Sequence, residues 1–172
     1  MALEIENIIE RLKSKRPVFH SEADFQHSLA WEIQLTYPTA SVRLEKPFPL
    51  KADNVRSSYL DIFITNEDIK YAIELKYKTR GLEVDVFGEE FCLRDHRAHP
   101  HNRIHFGNDV CRLERMMELK QTNYAYALIL TNECLYWLTP ILQDSKYDLN
   151  WFEYSKLDDT NGGQFKYLLL EI

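Results

Sequence analysis

The stretch Tyr59–Tyr77 limits what this chain can fold into, because its pattern admits one local structure. Leu60, Ile62 and Ile64 alternate with Asp61, Phe63 and Thr65, and Tyr71, Ile73, Leu75 and Tyr77 alternate with Ala72, Glu74 and Lys76. A period of two residues is that of a β-strand, so each set faces one side of a sheet. Asn66-Glu67-Asp68 supplies a polar turn between the two strands. A hairpin centred between Glu67 and Asp68 sets Asp61 opposite Glu74, with Cβ atoms about 4.5–5.5 Å apart and Lys76 diagonal to Asp61 at about 7–8 Å. Two like charges so placed destabilise a sheet unless a cation or a shared proton lies between them. Carboxylate oxygens alone suit a hard cation such as Mg²⁺. A slip of one residue in register would carry the whole set to the opposite face.

Asp61, followed after the hairpin by Glu74-Leu75-Lys76, resembles the D…(D/E)-x-K signature of the PD-(D/E)XK nuclease superfamily, with Leu60 where the Pro of the motif's name would stand. The similarity spans about residues 18 to 140. It implies an α/β fold with a restriction-endonuclease-like core, a central mixed β-sheet flanked by helices. It also implies a nuclease that hydrolyses phosphodiester bonds with Mg²⁺ (or Mn²⁺), on DNA in preference to RNA. By that resemblance Asp61, Glu74, the main-chain carbonyl of Leu75 and a helix acid, Glu22, are the expected metal ligands. Lys76 is the expected partner of the attacking water or of the transition-state charge. Glu32 is the reserve for the helix acid. A homodimer is one arrangement such a nuclease adopts to cut two strands.

The bulk numbers describe a globular chain. The chain has 172 residues, 45% of them hydrophobic and 13% aromatic, enough for one domain, residues 1–172, with a core of its own. A net charge of −6 argues against a surface coated for non-specific nucleic-acid binding, while leaving room for a local basic strip. Cys92, Cys111 and Cys134 form no C-x-x-C pair, and a reducing cytoplasm is the expected compartment. The amino-terminal residues contain no apolar stretch of the kind that directs export, and nothing approaches membrane-spanning length.

Along the chain, residues 2 to 15 have helical spacing (Leu3, Ile5, Ile8, Ile9, Leu12) and Pro17 ends the helix. Ser21 caps a second helix running to about Thr36, with Phe25, Leu29 and Ile33 as its apolar stripe and Glu22 beside it. Taken alone, Glu22 in a first turn is explained by the helix dipole. Ser41–Leu50 is a strand, and with the hairpin it makes a three-strand meander. A helix from Asn108 to about Gln121, with Val110, Leu113, Met116 and Met117 inward, is followed by an apolar strand, Asn123–Leu130, predicted to lie parallel in the sheet. Leu135–Leu138 and Phe165–Ile172 are read as further strands.

Lys78, Arg80, Arg97, Arg103 and Arg112 are the candidate nucleic-acid contacts, since Arg and Lys meet phosphate oxygens. The segment 82–107 is expected as a long loop. It holds His96, His99, His101 and His105 beside Arg94, Arg97 and Arg103. Three readings are open for it: a transition-metal site, a basic flap on a nucleic-acid backbone, or a solvated loop. For the chain as a whole the rivals to a nuclease are two. One is a non-catalytic nucleic-acid-binding or structural module on the same fold. The other is an unrelated α/β protein whose acids are the solvated face of a hairpin.

Overall fold

The computed structural model describes residues 3–48, 58–96, 100–142, 146–158 and 162–172. Helices α1 (Ile5–Lys15) and α2 (Glu22–Thr36) precede the meander β1 (Ser41–Phe48), β2 (Ser58–Asn66) and β3 (Ile69–Lys78). A hairpin of β4 (Leu82–Val86) and β5 (Glu89–Leu93) follows, then α3 (Pro100–Glu118), β6 (Tyr124–Thr131), the single turn α4 (Leu135–Leu138), β7 (Trp151–Lys156) and β8 (Gln164–Glu171). The architecture is α/β: a mixed six-stranded sheet in the order β1-β2-β3-β6-β8-β7 flanked by helices, with β4-β5 as a separate ribbon. No described helix is long and apolar enough to cross a membrane.

Both faces of the sheet are covered, and the alternation in β3 explains how. Tyr71, Ile73, Leu75 and Tyr77 join the cluster formed with Ile8, Ile9 and Leu12 of α1 and Phe25, Leu29 and Ile33 of α2. Ala72 faces the other way, into a cluster with Phe106, Val110, Leu113 and Met116 of α3. The α2 N-terminus is capped as its sequence requires: the Asp24 N–H donates to Ser21 Oγ at 3.1 Å. β6 pairs parallel to β3 after the α3 crossover, from Tyr71↔Tyr124 to Lys78↔Thr131.

The hairpin register runs Ile62↔Ile73, Phe63↔Ala72, Ile64↔Tyr71, Thr65↔Lys70, Asn66↔Ile69. Asp61 and Glu74 are the next pair along, and there the ladder stops. Leu60 departs from the expected alternation. It is buried in the α3-side cluster, whereas Ile62 and Ile64 lie in the α1/α2 cluster. The cause sits across the β1–β2 pair: Glu45, opposite Asp61, has φ 49°, and a left-handed residue in a strand turns the chain over locally.

Three expectations are corrected. The segment 82–107 is not a long loop: Leu82, Val84 and Val86 alternate against Phe91 and Leu93 in a hairpin closed by Phe87 and Gly88, both at positive φ (57° and 81°). Helix α3 starts at Pro100 rather than at Asn108, with proline at a first-turn position where its missing N–H has no cost. Leu135–Leu138 is a helical turn, not a strand, and the Glu133 carboxylate accepts the Leu135 N–H at 3.2 Å to start it. The strand expected over Ser41–Leu50 is described to Phe48, and its last residues, like Arg97 and His99, lie outside the described residues.

Candidate active site

The site begins where β2 leaves β3. Beyond Ile62↔Ile73 the main-chain N–H groups on that edge of β3 have no strand partner, and buried amides must be satisfied by something. Two carboxylates take them. Asp61 Oδ2 accepts from the Leu75 N–H at 2.7 Å, and Glu22 Oε2 accepts from the Tyr77 N–H at 2.8 Å. The first turn of α2 is therefore anchored to the same edge as the hairpin acid. Gln26, one turn further along α2 and buried, donates to the Asp61 main-chain carbonyl and to Glu45 Oε1, each at 2.8 Å. It holds the twisted segment of β1 and β2 in place.

Glu74 is buried at 2% exposure beside Asp61. Burial, and then the Asp61 charge, push its carboxyl up to about 9, against the pull of Arg112. Asp61 is also raised, first by burial, while the Leu75 N–H and the Lys76 ammonium oppose the shift. Glu74 thus keeps its proton near neutral pH. Helix α3 completes the constellation. Arg112 lies 2.6 Å from Glu74 Oε1 and 2.8 Å from Asp109 Oδ1, and Lys76 lies 3.1 Å from Asp109 Oδ2. The Lys76 ammonium is desolvated, yet Asp109 and Asp61 hold its pKa above the ordinary value.

The expected residues therefore divide. Asp61, Glu74, Leu75 and Lys76 converge, and Glu22 borders them, with its carboxylate also 3.1 Å from Lys78. Glu32 is elsewhere: buried, it binds Lys15 through both oxygens at 2.8 and 2.6 Å, tying α1 to α2. Among the expected nucleic-acid contacts, Arg112 is a partner of Glu74 and Asp109. Arg103 donates to the carbonyls of Leu135 and Pro140 and to Thr139 Oγ1, so it secures α4. Lys78 is paired with Glu22, while Arg80 is exposed. His96 is held by Thr79, whose N–H reaches Nδ1 at 3.3 Å, and borders a groove of roughly 530 Å³ with His20, Glu22, Lys78 and Arg94. His105 is on α3, and the His101 side chain lies outside the described residues.

Asp109, Gln26 and Glu45 are site residues that sequence reasoning does not single out. By sequence alone Asp109 belongs only to a helix first turn. The signal that could have found it is its spacing of three from Arg112, which puts both side chains on one face.

The donor set can be tested against the ion. Glu74, buried and raised by the Asp61 charge beside it, and the half-buried Asp61 are hard, oxygen-only donors. Mg²⁺ characteristically takes one or two protein carboxylates and completes its shell with water and substrate phosphate. Among the described residues no group of three His, Cys, Asp or Glu side chains is arranged to hold a metal. Asp61 and Glu74 thus fit as a two-carboxylate site, with Glu22 outside the immediate pair. Comparison of the chain with protein-family models, with curated proteins and with solved structures finds no match in any of the three.

Proposed function

We propose that the protein is a metal-dependent nuclease of the PD-(D/E)XK type with a restriction-endonuclease-like core, hydrolysing phosphodiester bonds, in DNA by preference. The observation that carries this is the Asp61–Glu74 pair: a half-buried and a buried carboxyl set side by side at the point where a strand pair opens, with a half-buried lysine two residues on. Such an arrangement costs stability and is expected where charge is to be bound. Asp61, Glu74 and, by the resemblance, the Leu75 carbonyl would hold a divalent ion, which would supply an acidified water and offset charge on the scissile phosphate. The chain's own residues do the rest. Lys76, oriented by Asp109, presents its ammonium to the charge that develops on the phosphoryl oxygens. Arg112 fixes the Glu74 carboxyl, and Gln26 fixes the Asp61 backbone. Glu22, bound to the edge of β3, sets the position of Lys78 at the mouth of the groove.

The test is incubation of single- and double-stranded DNA and of RNA with Mg²⁺ or Mn²⁺, with EDTA, and with Asp61→Asn. Cutting that needs metal and Asp61 supports the proposal and names the nucleic acid, and its absence on every substrate refutes it. The contact between Arg112 and Glu74 favours a second reading, a non-catalytic module in which this pair is a structural clasp. On that reading replacing Glu74 weakens the fold, whereas an enzyme site relaxes when its carboxylate is neutralised.

A further inference from the structure

The expected nucleic-acid contacts lie toward β4 and α3, but a further cluster of positive charge lies on the opposite flank of the motif. Arg43 pairs with Phe63 and Phe63 with Ala72, while Thr65 pairs with Lys70. Alternation therefore sets Arg43, Phe63 and Lys70 on the sheet face that carries Glu74 and Lys76. Lys46, beyond the turned-over residue Glu45, leans back over the same surface: its ammonium is 3.7 Å from the centre of the Phe63 ring and 5.1 Å from that of Phe48. Arg43, Lys46 and Phe63 border a groove of about 390 Å³ formed with Ser41, Pro47 and Thr65.

We infer that this face of β1–β2–β3, with Arg43, Lys46 and Lys70, is the surface on which the phosphodiester backbone of a nucleic-acid strand lies as it enters the site. The inference rests on the nuclease reading and deepens it by locating the substrate. Charge complementarity argues for the occupant. In a chain of net charge −6, three cations are gathered on one face, and among the described residues none of them has a carboxylate partner. Glu45, the one carboxylate lining the groove, is engaged by Gln26. The cations disfavour one another: Lys46 is held below the ordinary lysine value by burial and then by Lys70 and Arg43. A polyanion relieves that repulsion, and no described side chain does.

The spacing agrees. At a strand rise of about 3.3 Å per residue, Phe63 lies about 7 Å along β2 from Asp61, and Lys70 about 13 Å along β3 from Glu74. These distances correspond to about two and four nucleotides of a duplex strand at about 3.4 Å axial rise each. Phe63 and Phe48, beneath the Lys46 ammonium, hold that cation in place at the surface. Arg43 and Lys70 lie outside the core, so exchanging them leaves it intact.

The experiment is fluorescence anisotropy of labelled DNA and RNA oligonucleotides in EDTA, over a salt series, with the wild type, the double variant Arg43→Glu/Lys70→Glu and the single variants Arg43→Ala and Lys70→Ala. Melting temperatures are measured alongside. The double variant is expected to bind about tenfold more weakly or worse, with a salt slope smaller by about 2, and each single variant with a slope smaller by about 1. Unchanged affinity and slope in folded variants, or a wild type that binds neither nucleic acid at low salt, overturns the inference. Because binding is read without metal, the two proposals fail separately. A wild type that cuts while the variants bind normally removes this surface and leaves the nuclease. Binding lost in the variants of a protein that never cuts leaves the surface and removes the nuclease.

Discussion

Replacing Glu74 by glutamine separates an enzyme site from a structural clasp, and the structure sets the size of the effect. In the unfolded chain a glutamate is ionised above about pH 4.3. In the folded protein the Glu74 carboxyl, buried beside Asp61, keeps its proton up to about pH 9. The folded state therefore binds one proton more than the unfolded state throughout that window. Stability must fall as pH rises across it, by about 1.4 kcal/mol per pH unit, and the loss ends above the folded pKa. The Glu74→Gln side chain has no proton to lose, so the variant lacks this slope while every other titrating group contributes to both proteins. Between about pH 6 and pH 8 the stability of the variant relative to the wild type should rise by about 2.7 kcal/mol. For a chain of this size that is about 5–11 °C in melting temperature. The assay is thermal unfolding of both proteins in EDTA at the two pH values. A difference that does not change with pH, or a Glu74→Gln variant less stable than the wild type at the higher pH, would refute the reasoning. Glu74 would then be the structural partner of Arg112.

Mn²⁺ at about a hundred times its dissociation constant should add about 2.7 kcal/mol to the wild type, again some 5–11 °C, and Asp61→Asn should abolish the shift. Glu32→Gln should leave cleavage intact and cost at most about 1 kcal/mol in chemical denaturation, because its lysine partner is half exposed. Glu22→Gln, by contrast, should lower the cleavage rate while the fold persists. Asn132 is fully buried and joins the main chain of Arg80 and Gly162, so Asn132→Ala should destabilise by about 2–3 kcal/mol in a urea titration without altering metal binding.

The hairpin was legible because two independent signals agree there. Alternation runs through both strands, and a polar turn of fixed length leaves one register in which the apolar sets stay inside. That register alone puts Asp61 beside Glu74. The β4–β5 hairpin carries the same kind of signal, but its alternating Leu82, Val84 and Val86 are only partly buried, and the histidines and arginines that follow it give the segment the composition of a loop. The beginning of α3 was hidden because His101, Asn102 and Arg103 offer no apolar stripe. Arg103 is spent on the carbonyls around α4, a contact between residues far apart in sequence.

The roles of the α3 side chains were hidden for a related reason. Helical spacing places Asp109 and Arg112 on one face, but only the crossover that returns β6 parallel to β3 brings that face over Glu74 and Lys76. An arginine read along the chain as a phosphate contact is, in the fold, a clasp on a buried carboxyl. The left-handed Glu45 escaped notice as well. A charged residue in an alternating strand gives no local sign that the chain turns over there, and the turn is what delivers the Asp61 carboxylate to the Leu75 N–H.

The most direct test of the central claim is the rate of phosphodiester cleavage by the wild type and by Lys76→Ala, side by side in Mn²⁺ and in EDTA. The account predicts metal-dependent cutting by the wild type, stopped by EDTA and slowed at least about 100-fold when the ammonium is removed. Cutting that survives the loss of Lys76, or a wild type that neither cuts nor gains stability from Mn²⁺, would contradict it.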